Sequence, residues 1–234
     1  MRIGGLLMVR VICFDTETTA FDYTRGEKII EIGAIEIIDG KQTENVFHEY
    51  INPEKIIPIQ SYNVHKISNA FLADKPKFPE IAPKFLEFVK NDLIVAHNGK
   101  NFDFPFINYQ LEQIGLPVIP FEQQEDSMLM AQRKLANLRF YTLDALAKYF
   151  NIPLDARADA HNALIDTEIL AKIYLELVQK TDQKTVREIA AEQHEKFLSS
   201  PKSDGKFPTR KFTVPTDELS THKEWISKNI QPAN

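Results

Sequence analysis

The 234 residues leave room for one sizeable domain and an appendage, at about 100 to 200 residues per domain. Hydrophobic residues make up 43% and aromatics 10%, so the chain reads as a soluble globular protein with material for a packed core. A net charge of −5 argues against unaided binding to a polyanion, and the single cysteine, Cys13, excludes an internal disulfide framework and a thiolate-rich zinc site.

The opening MRIGGLLMVR holds only a Leu6-Leu7-Met8 patch, too short for a signal-peptide core or a membrane span. A cytoplasmic chain without membrane contact is expected, with residues 1 to 8 a disordered preface and Met8 an alternative start. Residues 10 to 15 (RVICFD) and 29 to 38 (IIEIGAIEII) read as buried strands, and 45 to 51 (NVFHEYI) as a third. Asp39-Gly40 is a hairpin signal between the latter two. Residues 78 to 90 carry Ile81, Phe85, Phe88 and Val89 at helical spacing, and 93 to 96 (LIVA) is a short strand.

Helices are predicted at 102 to 114, 126 to 134, 142 to 150 and 160 to 178, the last with Ile165, Ile169, Ile173 and Leu177 every fourth residue. Strands first, then strand and helix in alternation, indicate an α/β fold with a mixed sheet flanked by helices. One folded domain is therefore expected over residues 9 to 178.

Residues 179 to 234 read as a linker and a partner-binding tail. They carry 10 basic against 8 acidic residues, whereas residues 1 to 178 carry 18 against 25. A helix is predicted at 182 to 198, SSPKSDGKFP reads as a linker, and Thr216 caps a segment with Leu219, His222, Trp225 and Ile226 on one face. A capped amphipathic segment after a linker suggests docking onto a partner.

Acidic residues stand at three points where apolar runs end. In CFDTETTAF, Asp15 and Glu17 are two apart at a strand end, so the pleat turns both to the same side of the sheet. In VAHNGKNFDFPFI, Asp103 falls in the first turn of a helix, where an acid also complements the helix dipole. His97 in that segment reads as a strand-end residue with local hydrogen bonds. In ADAHNALIDTEIL, His161 and Asp166 are five apart, about 140° around a helix, so they share a cleft only if His161 precedes the helix or sits in its first turn. A histidine beside carboxylates can accept a proton near neutral pH.

FDTETT, HNGKNFD and HNALID, in this order, resemble the motifs of the DEDD exonuclease superfamily, histidine subclass. The resemblance implies a ribonuclease-H-like fold and two-metal hydrolysis of nucleic acid from a 3′ end, releasing nucleoside 5′-monophosphates. Carried over by position, Asp15, Glu17, Asp103 and Asp166 hold two divalent ions, and His161 deprotonates the attacking water. Four acids without thiolates suit Mg²⁺ or Mn²⁺.

KIIEIGAIEI (28 to 37), VHKISNAFLADKPKF (64 to 78) and TLDALAKYF (142 to 150) resemble the epsilon, or proofreading, subunits of bacterial DNA polymerase III, with a fainter echo in FTVPTDEL of the tail. That resemblance implies DNA 3′ ends, single-stranded or frayed, as substrate, and the polymerase catalytic subunit as the tail's partner. It also implies that Asp15, Glu17, Gln60, His65 and Asp166 contact the substrate nucleotide, Gln60 standing where an acidic residue is expected. VQKTDQKTV lacks the apolar positions that a sliding-clamp peptide buries, so no clamp contact is read from it. Two further readings stand beside this one: an RNA-processing or repair exonuclease of the same superfamily, and a non-catalytic module that has kept the fold.

Overall fold

The computed structural model describes residues 2–3, 6–7, 9–135, 138–155 and 161–179. The helix predicted at 182 to 198, the linker and the capped tail segment lie outside the described residues, as does most of VQKTDQKTV.

Strands β1 (Arg2–Ile3) and β2 (Leu6–Leu7) make a two-residue antiparallel pair within the expected preface. The main sheet has five strands: β3 (Arg10–Thr18), β4 (Ile29–Ile38), β5 (Lys41–Tyr50), β6 (Leu93–Ala96) and β7 (Gln124–Asp126). Its order is β5-β4-β3-β6-β7, antiparallel across β5, β4 and β3 and parallel from β3 through β6 to β7, the mixed sheet that the sequence pattern indicates. Asp39 and Gly40 join β4 to β5 with φ of 50° and 76°, the positive pair that a tight primed turn requires. β5 starts at Lys41 rather than 45, because its first residues are polar and exposed at the sheet edge and so carry no hydrophobic pattern.

The helices are α1 (Ile59–His65), α2 (Asn69–Leu72), α3 (Phe78–Val89), α4 (Asp103–Gln113), α5 (Ser127–Lys134), α6 (Leu143–Tyr149) and α7 (Ala163–Gln179). Alternation along β3 sends Val11 and Cys13 into a core shared with α5, α6 and α7, and Ile12 and Phe14 into one shared with α3 and α4. β3 is thus buried on both faces, and its C-terminal end opens beside that of β6. In sheets of this kind, ligands bind outside the carboxyl ends of the parallel strands. No described helix is long and apolar enough to cross a membrane.

Candidate active site

Three segments converge on a cavity of about 610 Å³ beyond the ends of β3 and β6. The first is β3 itself. Asp15 and Glu17 are half-buried while Thr16 and Thr18 between and beyond them are buried, as period two demands, and both acids line the cavity. Asp15 lies opposite Gly33 of β4 and Glu17 opposite Glu31, with a register shift immediately after Glu17.

The second segment is the turn from β6 into α4. Asn98 has φ of 58°, and a Cβ on Gly99 would lie 2.3 Å from the Ala96 Cβ and 3.0 Å from the Phe104 ring, so only glycine fits. Asp126 ties this turn down. It is 0% exposed and accepts from the backbone N–H groups of Asn98 (3.2 Å), Lys100 (3.1 Å), Met128 (2.9 Å) and Leu129 (3.2 Å). Asp103 consequently stands in the first turn of α4, 2% exposed, where its Oδ1 accepts from the Thr16 hydroxyl at 2.7 Å.

Burial pushes the Asp103 carboxyl up to about 7, against the Thr16 bond and its own backbone N–H, and the nearby Asp126 charge adds to the rise. A carboxyl held in so unfavourable a place for its charge is one that a cation would stabilise. His97 bonds locally, with Nδ1 2.9 Å from Ser127 Oγ and Nε2 2.9 Å from the Tyr141 carbonyl.

The third segment is the start of α7. That helix begins at Ala163 rather than 160, because the Asn162 side chain caps it by accepting from Ile165 N at 3.1 Å. His161 therefore precedes the helix, which resolves the 140° mismatch in the manner expected. The helix sits directly on β4: a Cβ at Gly33 would lie 2.5 Å from the Ala163 carbonyl carbon and from Leu164 N, and Thr167 Oγ1 donates to the Gly33 carbonyl at 3.0 Å. This close approach brings the buried Asp166 to the strand that carries Asp15 and Glu17. His161 Nδ1 lies 3.4 Å from Asp166 Oδ2, and the His161 side chain is 47% exposed.

Glu17, His161 and Asp166 each offer a ligand atom within 4.8 Å of the other two. With Asp15 and Asp103 in the same cavity, the donors are carboxylate oxygens and one imidazole, a set that fits hard divalent ions.

Gln60 and His65, on α1, line the same cavity, so all seven sequence-predicted residues face one space. His65 is 4% exposed, and its Nδ1 accepts from Ile67 N at 3.0 Å, which leaves the proton on Nε2. That Nε2 has no hydrogen-bond partner among the described residues. Burial, aided by His161, drops the His65 pKa to about 4, so the ring stays neutral near pH 7. Glu31, which holds the start of α7, and Asp126, which holds the β6–α4 turn, carry no signal in the sequence pattern. Glu31 lies in a run of isoleucines, and Asp126 reads only as the start of a helix. The exposed Phe21, with its ring 6.0 Å from that of Phe102, forms an apolar rim.

The exonuclease family model matches residues 12–174. The chain is 38% identical to DNA polymerase III subunit epsilon of Rickettsia prowazekii (strain Madrid E), over 94% of this chain and 96% of that protein. It is 34% identical to the subunit of the same name from Escherichia coli (strain K12), over 72% of this chain and 71% of that one. Among solved structures, exonuclease X in complex with 5′ overhanging duplex DNA matches with a TM-score of 0.60 at 25% identity, over 78% of this chain and 99% of that one. The nuclease domain of 3′hExo, a DEDDh family member bound to rAMP, matches with a TM-score of 0.64 at 16% identity, over 76% and 94%, a likeness of fold.

Proposed function

The chain belongs to the exonuclease family, in the group of DNA polymerase III epsilon subunits, and we propose how its site performs 3′→5′ hydrolysis and on what substrate. Asp15, Glu17, Asp103 and Asp166 hold two divalent ions, Mg²⁺ or Mn²⁺, and His161 accepts the proton of the attacking water. Bound divalent ions supply positive charge that eases deprotonation of water and offsets the charge developing on the phosphate and the leaving 3′-oxygen. The observation that carries this reading is the convergence of the four acids on one cavity with a half-exposed histidine beside Asp166.

His161 is open to solvent on one side, so it can pass on the proton that it takes. His65 presents Nε2–H as a fixed neutral donor to an oxygen of the terminal nucleotide, and the Gln60 amide lies on the same side. Phe21 and Phe102 give a base an apolar face to stack on.

The substrate is a DNA 3′ end, single-stranded or frayed, presented by the polymerase to which proteins of this group belong. Residues 179 to 234 tether the exonuclease to the polymerase catalytic subunit in the cytoplasm. A tether substitutes local concentration for affinity, which suits a chain with a net charge of −5.

The test is release of nucleoside monophosphate from a 3′-mismatched DNA primer and from short RNA, with Mg²⁺ or Mn²⁺, by wild type and Asp15→Ala. Metal-dependent DNA hydrolysis that the variant lacks is expected. Preference for RNA would transfer the site to the RNA-processing reading, and wild-type activity in the variant would break the site assignment. Copurification with the polymerase with and without residues 200 to 234 tests the tether, unchanged association placing that role in the folded domain.

A further inference from the structure

A buried acid that this chemistry leaves unused lies behind the histidine. Glu31, in β4, is 0% exposed and does not line the cavity. A carboxyl so deep must be met by partners, and three residues on two segments meet it. Its Oε1 lies 2.7 Å from His48 Nε2 of β5 and accepts from Asn162 Nδ2 at 2.6 Å, while Oε2 accepts from Ala163 N at 3.2 Å.

Asn162 is thereby gripped at both ends of its amide. The nitrogen donates to Glu31 and, at 3.1 Å, to the Tyr50 hydroxyl, and the oxygen accepts from Ile165 N in the first turn of α7. Asn162 immediately follows His161. The His161 backbone N–H donates to the Val64 carbonyl at 3.1 Å.

We propose that Glu31 is a positioning residue for His161, acting through Asn162 and the start of α7 to hold the imidazole beside Asp166. This rests on the reading of His161 as the proton acceptor. Glu31 suits the role because it offers two acceptor oxygens to two donors, Asn162 Nδ2 and Ala163 N, and sits at a helix N-terminus, where an acid is favoured. An amide at position 31 would keep one acceptor and turn an NH₂ group towards one of those donors.

The experiment is steady-state hydrolysis of a single-stranded DNA oligonucleotide with Mg²⁺ by Glu31→Gln and Asn162→Ala, each made alone and on a His161→Ala background. Alone, each is expected to lower kcat about 10- to 100-fold with KM within about threefold, the signature of a misplaced reacting group. On the His161→Ala background, each should change kcat by less than about twofold, because the group being positioned is gone. Asn162→Ala leaves Glu31 its His48 and Ala163 partners, so it carries the test should Glu31→Gln not fold. Unchanged kcat in the single variants, or the same fold-loss in both backgrounds, overturns the proposal and reduces Glu31 to a stabilising residue. Wild-type activity in His161→Ala alone would break the underlying reading and this one with it.

Discussion

The two walls of the cavity are built in opposite ways. On the β6–α4 side, Asp103 is 2% exposed and bonded to Thr16, and the turn before it is tied by two backbone bonds to the buried Asp126. On the α7 side, His161 is 47% exposed and is held by its backbone and by its neighbour's side chain. The difference separates two tasks. On the proposed chemistry, the acids that would gather cations are fixed in advance at a cost in stability, whereas the group that would exchange protons with water keeps a path to it.

Replacing one acid on the rigid wall should have the largest effect. Asp103→Asn preserves shape and can keep an acceptor for Thr16, so its loss of activity, expected at about 10³-fold, would report charge rather than packing. Single-turnover hydrolysis reads it, and a loss below about tenfold would erase the contrast between the walls. His161→Gln should cost about 10²-fold at saturating metal, the low end for a proton acceptor. A loss equal to that of Asp103→Asn would make the histidine a structural partner of the acids.

Gly33→Ala tests how α7 is placed. The new Cβ would lie 2.5 Å from backbone atoms of Ala163 and Leu164, so the helix start, not a side chain, must shift. A stability loss of about 1–3 kcal/mol by denaturant titration is expected, with lower activity because Asp166 moves too. Full activity would mean that the site tolerates displacement of the helix.

The smallest effect is a dependence on pH in the metal-free protein. The Asp103 pKa is raised from 3.8 to about 7, so its contribution to stability is whole below pH 3.8 and is lost as pH rises to about 7. His65 runs the other way: its pKa falls from 6.5 to about 4, and its contribution is whole above pH 6.5 and lost as pH falls towards 4. With EDTA at pH 8, Asp103→Asn should therefore melt about 3 °C or more above wild type, and the gap should narrow towards pH 4. A gap that is constant with pH would remove the charge of Asp103 as its cause.

The strands at 29–38 and 93–96 were legible to the residue, because both are apolar runs bounded by turn chemistry. Asp15 and Glu17 were legible because they interrupt an apolar strand towards its end, and Asp103 and Asp166 because they stand in the first turn of a helix. α1 was not, since Ile59 and Val64 are exposed and Tyr62 borders on exposure, so no buried stripe marks it. β7, of sequence QED, is a strand by virtue of its pairing with β6, which no local pattern reveals. Glu31 and Asp126 escaped for a related reason: the partners of a buried carboxyl are backbone and side-chain donors far away in the chain, and spacing carries no trace of them.

Cys13 has 0% exposure in the middle strand, two residues before Asp15, and burial pushes its thiol far above the usual range. As the only sulfhydryl in the chain, it is an inbuilt reporter. An alkylating reagent can reach it only when the helices covering that face of the sheet lift away, so the rate of mass gain in the native protein measures how often the layer behind the carboxylates comes undone.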